Sequence, residues 1–169
     1  MKSLGVVTVA RDTLRPGMVV HELSDVECRR MLARKSLAHL ACARDGQPYV
    51  VPILCYFDAA AGYLYSIAAE GQKVAWMREN PKVCVHFSEI GDRFTWTTVV
   101  VFGRFEELTD SKADAEARHG ARTLFEQRED WWFPALKKPE PGSPAPAVIY
   151  RIKIDELTGR KGTRESGTP

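Results

Sequence analysis

The residues best placed to do chemistry lie between Ser66 and Pro81, in the run Ser-Ile-Ala-Ala-Glu-Gly-Gln-Lys-Val-Ala-Trp-Met-Arg-Glu-Asn-Pro. From Lys73 onward, Val74 and Met77 fall three apart with Trp76 beside them, as one face of a short helix does. Asn80-Pro81 ends that helix, because Pro81 has no amide donor and disfavours helical geometry at Asn80. Gly71, just upstream, permits a tight turn and the close approach of another group. A helix start carries unpartnered amides at the positive end of its dipole. Those amides, Gly71, the Lys73 ammonium and the Ser66 hydroxyl together compose a site with the size and sign for a phosphate. The same pattern also suits a solvated lysine at an ordinary helix start, and spacing alone leaves both readings open.

The elements that would position these residues are mostly strands. Ser24-Asp25-Val26-Glu27 is a capping box and predicts a helix to about Ala33. Ser36 to Ala43, the hairpin signal Asp45-Gly46, Tyr49 to Phe57, a turn at Ala59 to Gly62, and Tyr63 to Ala68 predict a three-stranded antiparallel meander. Pro52 interrupts its middle strand, where a central position could not spare an amide donor. The backbone there is either an edge or faces something other than a strand. Lys82 to Ser88 and Arg93 to Glu106 follow as strands, and Ala147 to Ile154 makes the sixth. Between the last two, Asp110 or Ser111 caps a helix whose face is Ala113, Ala117, Ala121, Leu124 and Phe125, small enough to pack on a sheet or a partner. Trp131 and Trp132 stand side by side just beyond it. Two adjacent tryptophans are hard to bury on one face, so one is expected to reach a pocket or a subunit boundary.

This pattern predicts a mainly β (α+β) chain, a six-stranded antiparallel split β-barrel with a few short flanking helices. A single domain over residues 1–157 and a mobile polar tail over 158–169 are expected, with residues 1 to 22 an irregular or partly extended arm. At 169 residues the chain can bury one real core. A net charge of +2, without a Lys/Arg run, argues against a nucleic-acid partner. No apolar segment approaches the ~20 residues that span a bilayer, and no secretory leader is apparent, so a cytoplasmic location is expected. Cys28, Cys42, Cys55 and Cys84 are widely spaced and read as reduced thiols; neither they nor the scattered histidines have zinc spacing, so no metal is assigned. Dinucleotide, P-loop and nucleophile-elbow motifs are missing. One anion site, several aromatics and little acid/base equipment suit a protein whose bound cofactor supplies the chemistry.

The order of elements resembles that of the FMN-binding split barrels related to pyridoxamine 5'-phosphate oxidase, especially their nitroimidazole-resistance branch. The residues that carry the resemblance are Gly46 to Pro52, Leu64-Tyr65-Ser66, Glu70-Gly71-Gln72-Lys73, Arg78 to Cys84, Thr98 to Arg104 and Leu157 to Arg160. It implies a homodimer with two FMN sites at the subunit interface and a small-molecule substrate. By the same resemblance, Lys73, next to the Gly71 turn, holds the phosphate, helped by Gln72 and by hydroxyls on the preceding strand (Tyr65, Ser66). Val50, Val51, Pro52 and Ile53 lie along the flavin through backbone groups, Thr98 reaches it from the long strand, and Trp132 comes from one subunit or the other. Gln72 stands where many relatives carry arginine, and Ser66 where nitroimidazole-resistance proteins usually carry histidine.

The function expected from the sequence is an FMN-dependent oxidoreductase, with Trp96 or Trp132 shaping its pocket. Two alternatives stand beside it. One is a haem-binding or haem-degrading split barrel using His39 or His86 as axial ligand; the other is a flavin-binding or sensing module without turnover.

Overall fold

A computed structural model of the chain describes residues 18–92, 94–127 and 147–164. The elements run β1 (Met18–Glu22), α1 (Asp25–Arg34), β2 (Leu37–Arg44), β3 (Gln47–Asp58), β4 (Tyr63–Ala68), α2 (Gln72–Glu79), β5 (Lys82–Ile90), β6 (Trp96–Glu107), α3 (Ala115–Glu126) and β7 (Val148–Arg164). The local signals hold where they are strongest. Ser24 caps α1, its side chain accepting from the Glu27 amide while the Glu27 carboxylate accepts from the Ser24 amide. Asp45 (φ 51°) and Gly46 (φ 78°) both adopt the left-handed backbone that a two-residue hairpin between β2 and β3 requires.

Seven strands form one antiparallel sheet in the order β1-β7-β4-β3-β2-β5-β6, and an additional β6–β7 pairing closes the ring. Six strands make the barrel, as expected; β1 is a seventh, added to the far end of β7. Inward-facing Leu40, Leu64, Val85, Phe87, Val99, Val101 and Ile152 are fully buried and fill the barrel. α1 and α2 add Met31, Leu32, Val74 and Met77 to the same core. They do so at opposite ends. Arg34 and Lys35 at the end of α1 meet Glu89 near the end of β5, whereas Asn80 after α2 donates to the Ala43 carbonyl near the end of β2.

One expectation changes, and one open alternative closes. Residues 158–164, expected in a polar tail, continue β7, paired with β6 and with β1. Two glycines explain why this stretch lacks a strand signal: a Cβ on Gly162 would lie 2.4 Å from the Trp96 indole nitrogen, and one on Gly159 2.6 Å from the Cys28 sulfur. Glycine is there so that a tryptophan and a helix can lie on the strand. The small face of α3 is also spent inside the protomer. Ala121 and Phe125 are buried, with Ala117 and Leu124 partly so, in a second cluster with Tyr56, Tyr65 and Ile149 on the outside of the barrel. Ala113 precedes the helix and is exposed. The buried part of that face is thus covered within the protomer.

Candidate anion and cofactor site

The start of α2 is built unlike an ordinary helix end. Its N-cap, Gly71, supplies no side-chain hydrogen bond, and its first turn contains no acidic residue. The next residues are Gln72, exposed, and Lys73, half-buried. A cation in the first turn works against the helix dipole by about 0.3–1 kcal/mol. Burial adds to that cost and pulls the Lys73 ammonium below its ordinary pKa, with the nearby Cys42 thiol acting weakly the other way. Burial likewise pushes the Cys42 thiol up, and Lys73 partly opposes the shift. Among the described residues Lys73 pairs with no carboxylate. Unpaired amides, a half-buried cation and no acid within the first turn make a corner suited to an anion.

That corner lies along the β2–β3 hairpin. The Trp76 ring packs 5.4 Å from that of Tyr49, and Tyr49 is the cross-strand partner of Cys42. β3 has a special edge here. β4 pairs with it only over Cys55 to Asp58, so Gln47 to Leu54 has β2 on one side and no described strand on the other. The Cys55 amide donates to the Ser36 carbonyl at 2.8 Å, which fixes the phase of the ladder. Rungs Ala41/Val50 and His39/Pro52 are then non-hydrogen-bonded ones, whose backbone groups point away from β2. The Val50 amide and carbonyl and the Pro52 carbonyl thus face the open edge, and Pro52 forfeits no ladder bond. Val51 and Ile53 point inward; Val50 and Pro52 point outward and are exposed.

The remaining predicted residues divide. Ser66 is completely buried, and its hydroxyl donates to the Leu54 carbonyl at 2.6 Å, where β4 leaves β3. It secures the point at which the open edge begins. Tyr65 faces the opposite way, into the cluster under α3. Thr98 lies on β6, three strands from β3 in either direction around the ring, or about 14 Å at ordinary strand spacing. One protomer does not bring it to the β3 edge. Trp96 is half-buried against Gly162. His39 and His86 are cross-strand neighbours on the outer face of the barrel, their rings 6.2 Å apart. Trp132 lies outside the described residues.

Sequence reasoning misses one group: Arg78, in the last turn of α2, reaches both Glu70 and Glu107. Nothing periodic marks these contacts, since Glu107 is brought by the fold. Among the described residues no helix is long and apolar enough to cross a membrane.

Comparison with known proteins accords with this architecture. The family model described as pyridoxamine 5'-phosphate oxidase matches residues 24–161, and the chain belongs to that family. An uncharacterized protein of Rhizobium meliloti is 38% identical over 146 residues, covering 85% of this chain and 95% of that one. The crystal structure of a FAD-binding protein from Mesorhizobium loti is also 38% identical, with a TM-score of 0.71 over 87% of this chain and 99% of that one. A Bacteroides thetaiotaomicron structure, provisionally named a 5-nitroimidazole antibiotic resistance protein, shares the fold at 18% identity, with a TM-score of 0.63 over 88% of this chain and 91% of that one.

Proposed function

We propose that this protein is an FMN-binding oxidoreductase of a small molecule, working as a homodimer. The observation that carries the reading is the pairing of a helix start without a side-chain cap, whose Lys73 has no carboxylate partner among the described residues, and a strand edge with no described neighbour. The first suits a phosphate. The second offers amide and carbonyl groups to the polar rim of a flat ring, and Pro52 removes a donor that would otherwise need a partner. A bound flavin supplies the electron-transfer chemistry. Lys73, Gln72 and the first-turn amides would hold its phosphate, while Val50 and Pro52 would orient the ring. The family and the flavin named for the Mesorhizobium loti relative support a flavin. FMN is favoured over FAD because the corner holds one ammonium and one set of amides, which fits a terminal phosphate.

The second subunit is supported by the outer face. In register across β3, β2, β5 and β6 lie the rows Pro52–His39–His86–Val100 and Val50–Ala41–Cys84–Phe102. None is an Asp, Glu, Lys or Arg, and Val50 (60%) and Phe102 (46%) are well exposed. A face of that kind is an interaction surface. A second copy seated there would also supply the Thr98 that one protomer holds too far from its own β3 edge.

Absorbance of the purified protein distinguishes flavin from haem. Titration with riboflavin, FMN and FAD should show tightest binding for FMN; equal affinity for riboflavin and FMN would overturn the phosphate assignment. Reduction by NAD(P)H with turnover separates an enzyme from a binding module. Light scattering of the flavin-loaded protein should give a dimer, and a monomer at micromolar concentration would remove the second subunit from the site.

A further inference from the structure

α2 ends on an arginine that reaches back past the helix start. The Arg78 guanidinium donates to Glu107 through Nε at 2.6 Å and Nη2 at 2.8 Å, and to Glu70 through Nη1 at 2.5 Å and Nη2 at 3.1 Å. Glu107 is the last residue of β6; Glu70 immediately precedes the N-cap Gly71. One planar fork therefore holds two carboxylates, each through both oxygens, a geometry an ammonium cannot reproduce.

Glu70 is the acidic residue nearest in sequence to the first-turn amides and to Lys73, three positions on. A helix start with no side-chain cap, and an ammonium that has no carboxylate partner among the described residues, attract a carboxylate as well as a phosphate. The next acid in the chain, Glu79 at the far end of α2, is engaged by Arg44 at 3.3 Å. We propose that Arg78 is a positioning residue for the anion site: by fastening Glu70 to the end of β6 it keeps the protein's own carboxylate off the α2 start, reserving Lys73 and the amides for the ligand. Its ligand consequence rests on the phosphate reading above. Its consequence for Lys73 in the ligand-free protein does not.

The contribution to folding should be small. The Arg78 and Glu70 side chains are 41% and 42% exposed, and exposed ion pairs stabilise little. The test compares wild type, Arg78→Gln, Glu70→Gln and the double variant in two measurements. The first is the NMR titration of the Lys73 side-chain nitrogen without ligand. Arg78→Gln should move its midpoint upward, because the freed Glu70 carboxylate settles beside the ammonium, and the double variant should return it to the wild-type value. The second is affinity for FMN and for riboflavin. Arg78→Gln should weaken FMN by about tenfold, the equivalent of one charge-assisted contact, and leave riboflavin unchanged; removing Glu70 as well should restore FMN. A purely structural arginine predicts the reverse, since taking away a second partner cannot repair a lost support. The proposal is overturned if Arg78→Gln leaves the Lys73 midpoint in place, or if the double variant binds FMN no better than the single one. If wild type takes FMN and riboflavin equally, the phosphate reading fails, and the Lys73 titration still decides the part played by Glu70. Should Arg78→Gln not fold, Arg78→Lys, with and without Glu70→Gln, supplies the same comparison, the single charge holding Glu70 less firmly.

Discussion

The barrel has a helix at each end, and the two begin in opposite ways. At α1 the chain satisfies itself: Ser24 and Glu27 exchange hydrogen bonds, Asp25 adds a second acid to the first turn, and Lys161 lies 3.6 Å from Glu27. At α2 each of these features is missing or reversed. The cap is a glycine, the first turn has no acid, and it carries a lysine instead. Both helices pack into one core, so tertiary burial holds both in place. On the function proposed above, the difference is one of purpose. The self-sufficient start is structural, and the deficient one has something to gain from a ligand, as sites that break local rules often do.

The sharpest way to break this comparison is Lys73→Ala. It should weaken FMN by about one to two decades, from about 1.5–3 kcal/mol of charge-assisted hydrogen bonding, and leave riboflavin unchanged. The ligand-free protein should lose no stability, because the lost cation was half-buried and at the wrong end of a dipole. Equal losses for both flavins would show that Lys73 serves folding or the ring. Gln72→Arg sharpens the contrast from the other side. An added fork at the exposed position should tighten FMN by up to about 1–2 kcal/mol, less as salt rises. Titration at low and high salt checks it, and unchanged affinity at both would remove Gln72 from the site.

Ser24→Ala is the control at the other helix. It should cost about 1 kcal/mol in denaturant melts and leave FMN affinity alone. The smallest effects come from pH, and their signs oppose. The Lys73 pKa lies below its ordinary value of 10.5, so the unfolded chain holds that proton more tightly than the folded one. Ligand-free stability therefore rises with pH between the lowered value and 10.5, while FMN affinity falls as the ammonium is lost in the same window. Glu27 is held below the usual carboxylate range by its hydrogen bonds to Ser24, so the α1 cap is intact at neutral pH and fades as acid takes the pH down through that lowered value. FMN titrations and melts across the two ranges check both signs.

What was legible in the sequence was local. The capping box at Ser24, the Asp45-Gly46 turn, the stop at Asn80-Pro81 and the first-turn lysine each lie within a few residues, and each appears in the fold. Ambiguity begins where a pattern has two physical uses. The small face of α3 suits a sheet or a partner equally, and the sheet took it. The end of β7 was hidden because its glycines answer to Trp96 and Cys28, which the sequence places 66 and 131 residues away from Gly162 and Gly159. The Arg78 clamp was hidden for the same reason, since half of it comes from β6.

β7 has a consequence for the order of folding. Its 17 residues pair with β4 through Lys153, with β6 from Tyr150 to Gly162, and with β1 from Arg160 onward. The meander from β2 to β4 and the β5–β6 pair can form from neighbours in the chain, but the ring cannot close until residues 148–164 have emerged. Until then β4 and β6 each wait with an unpaired edge, and β1 has no partner at all. Such late, long-range closure is slow, and it makes the interval before the last strand arrives the time when this chain is most exposed to pairing with a neighbour instead of with itself.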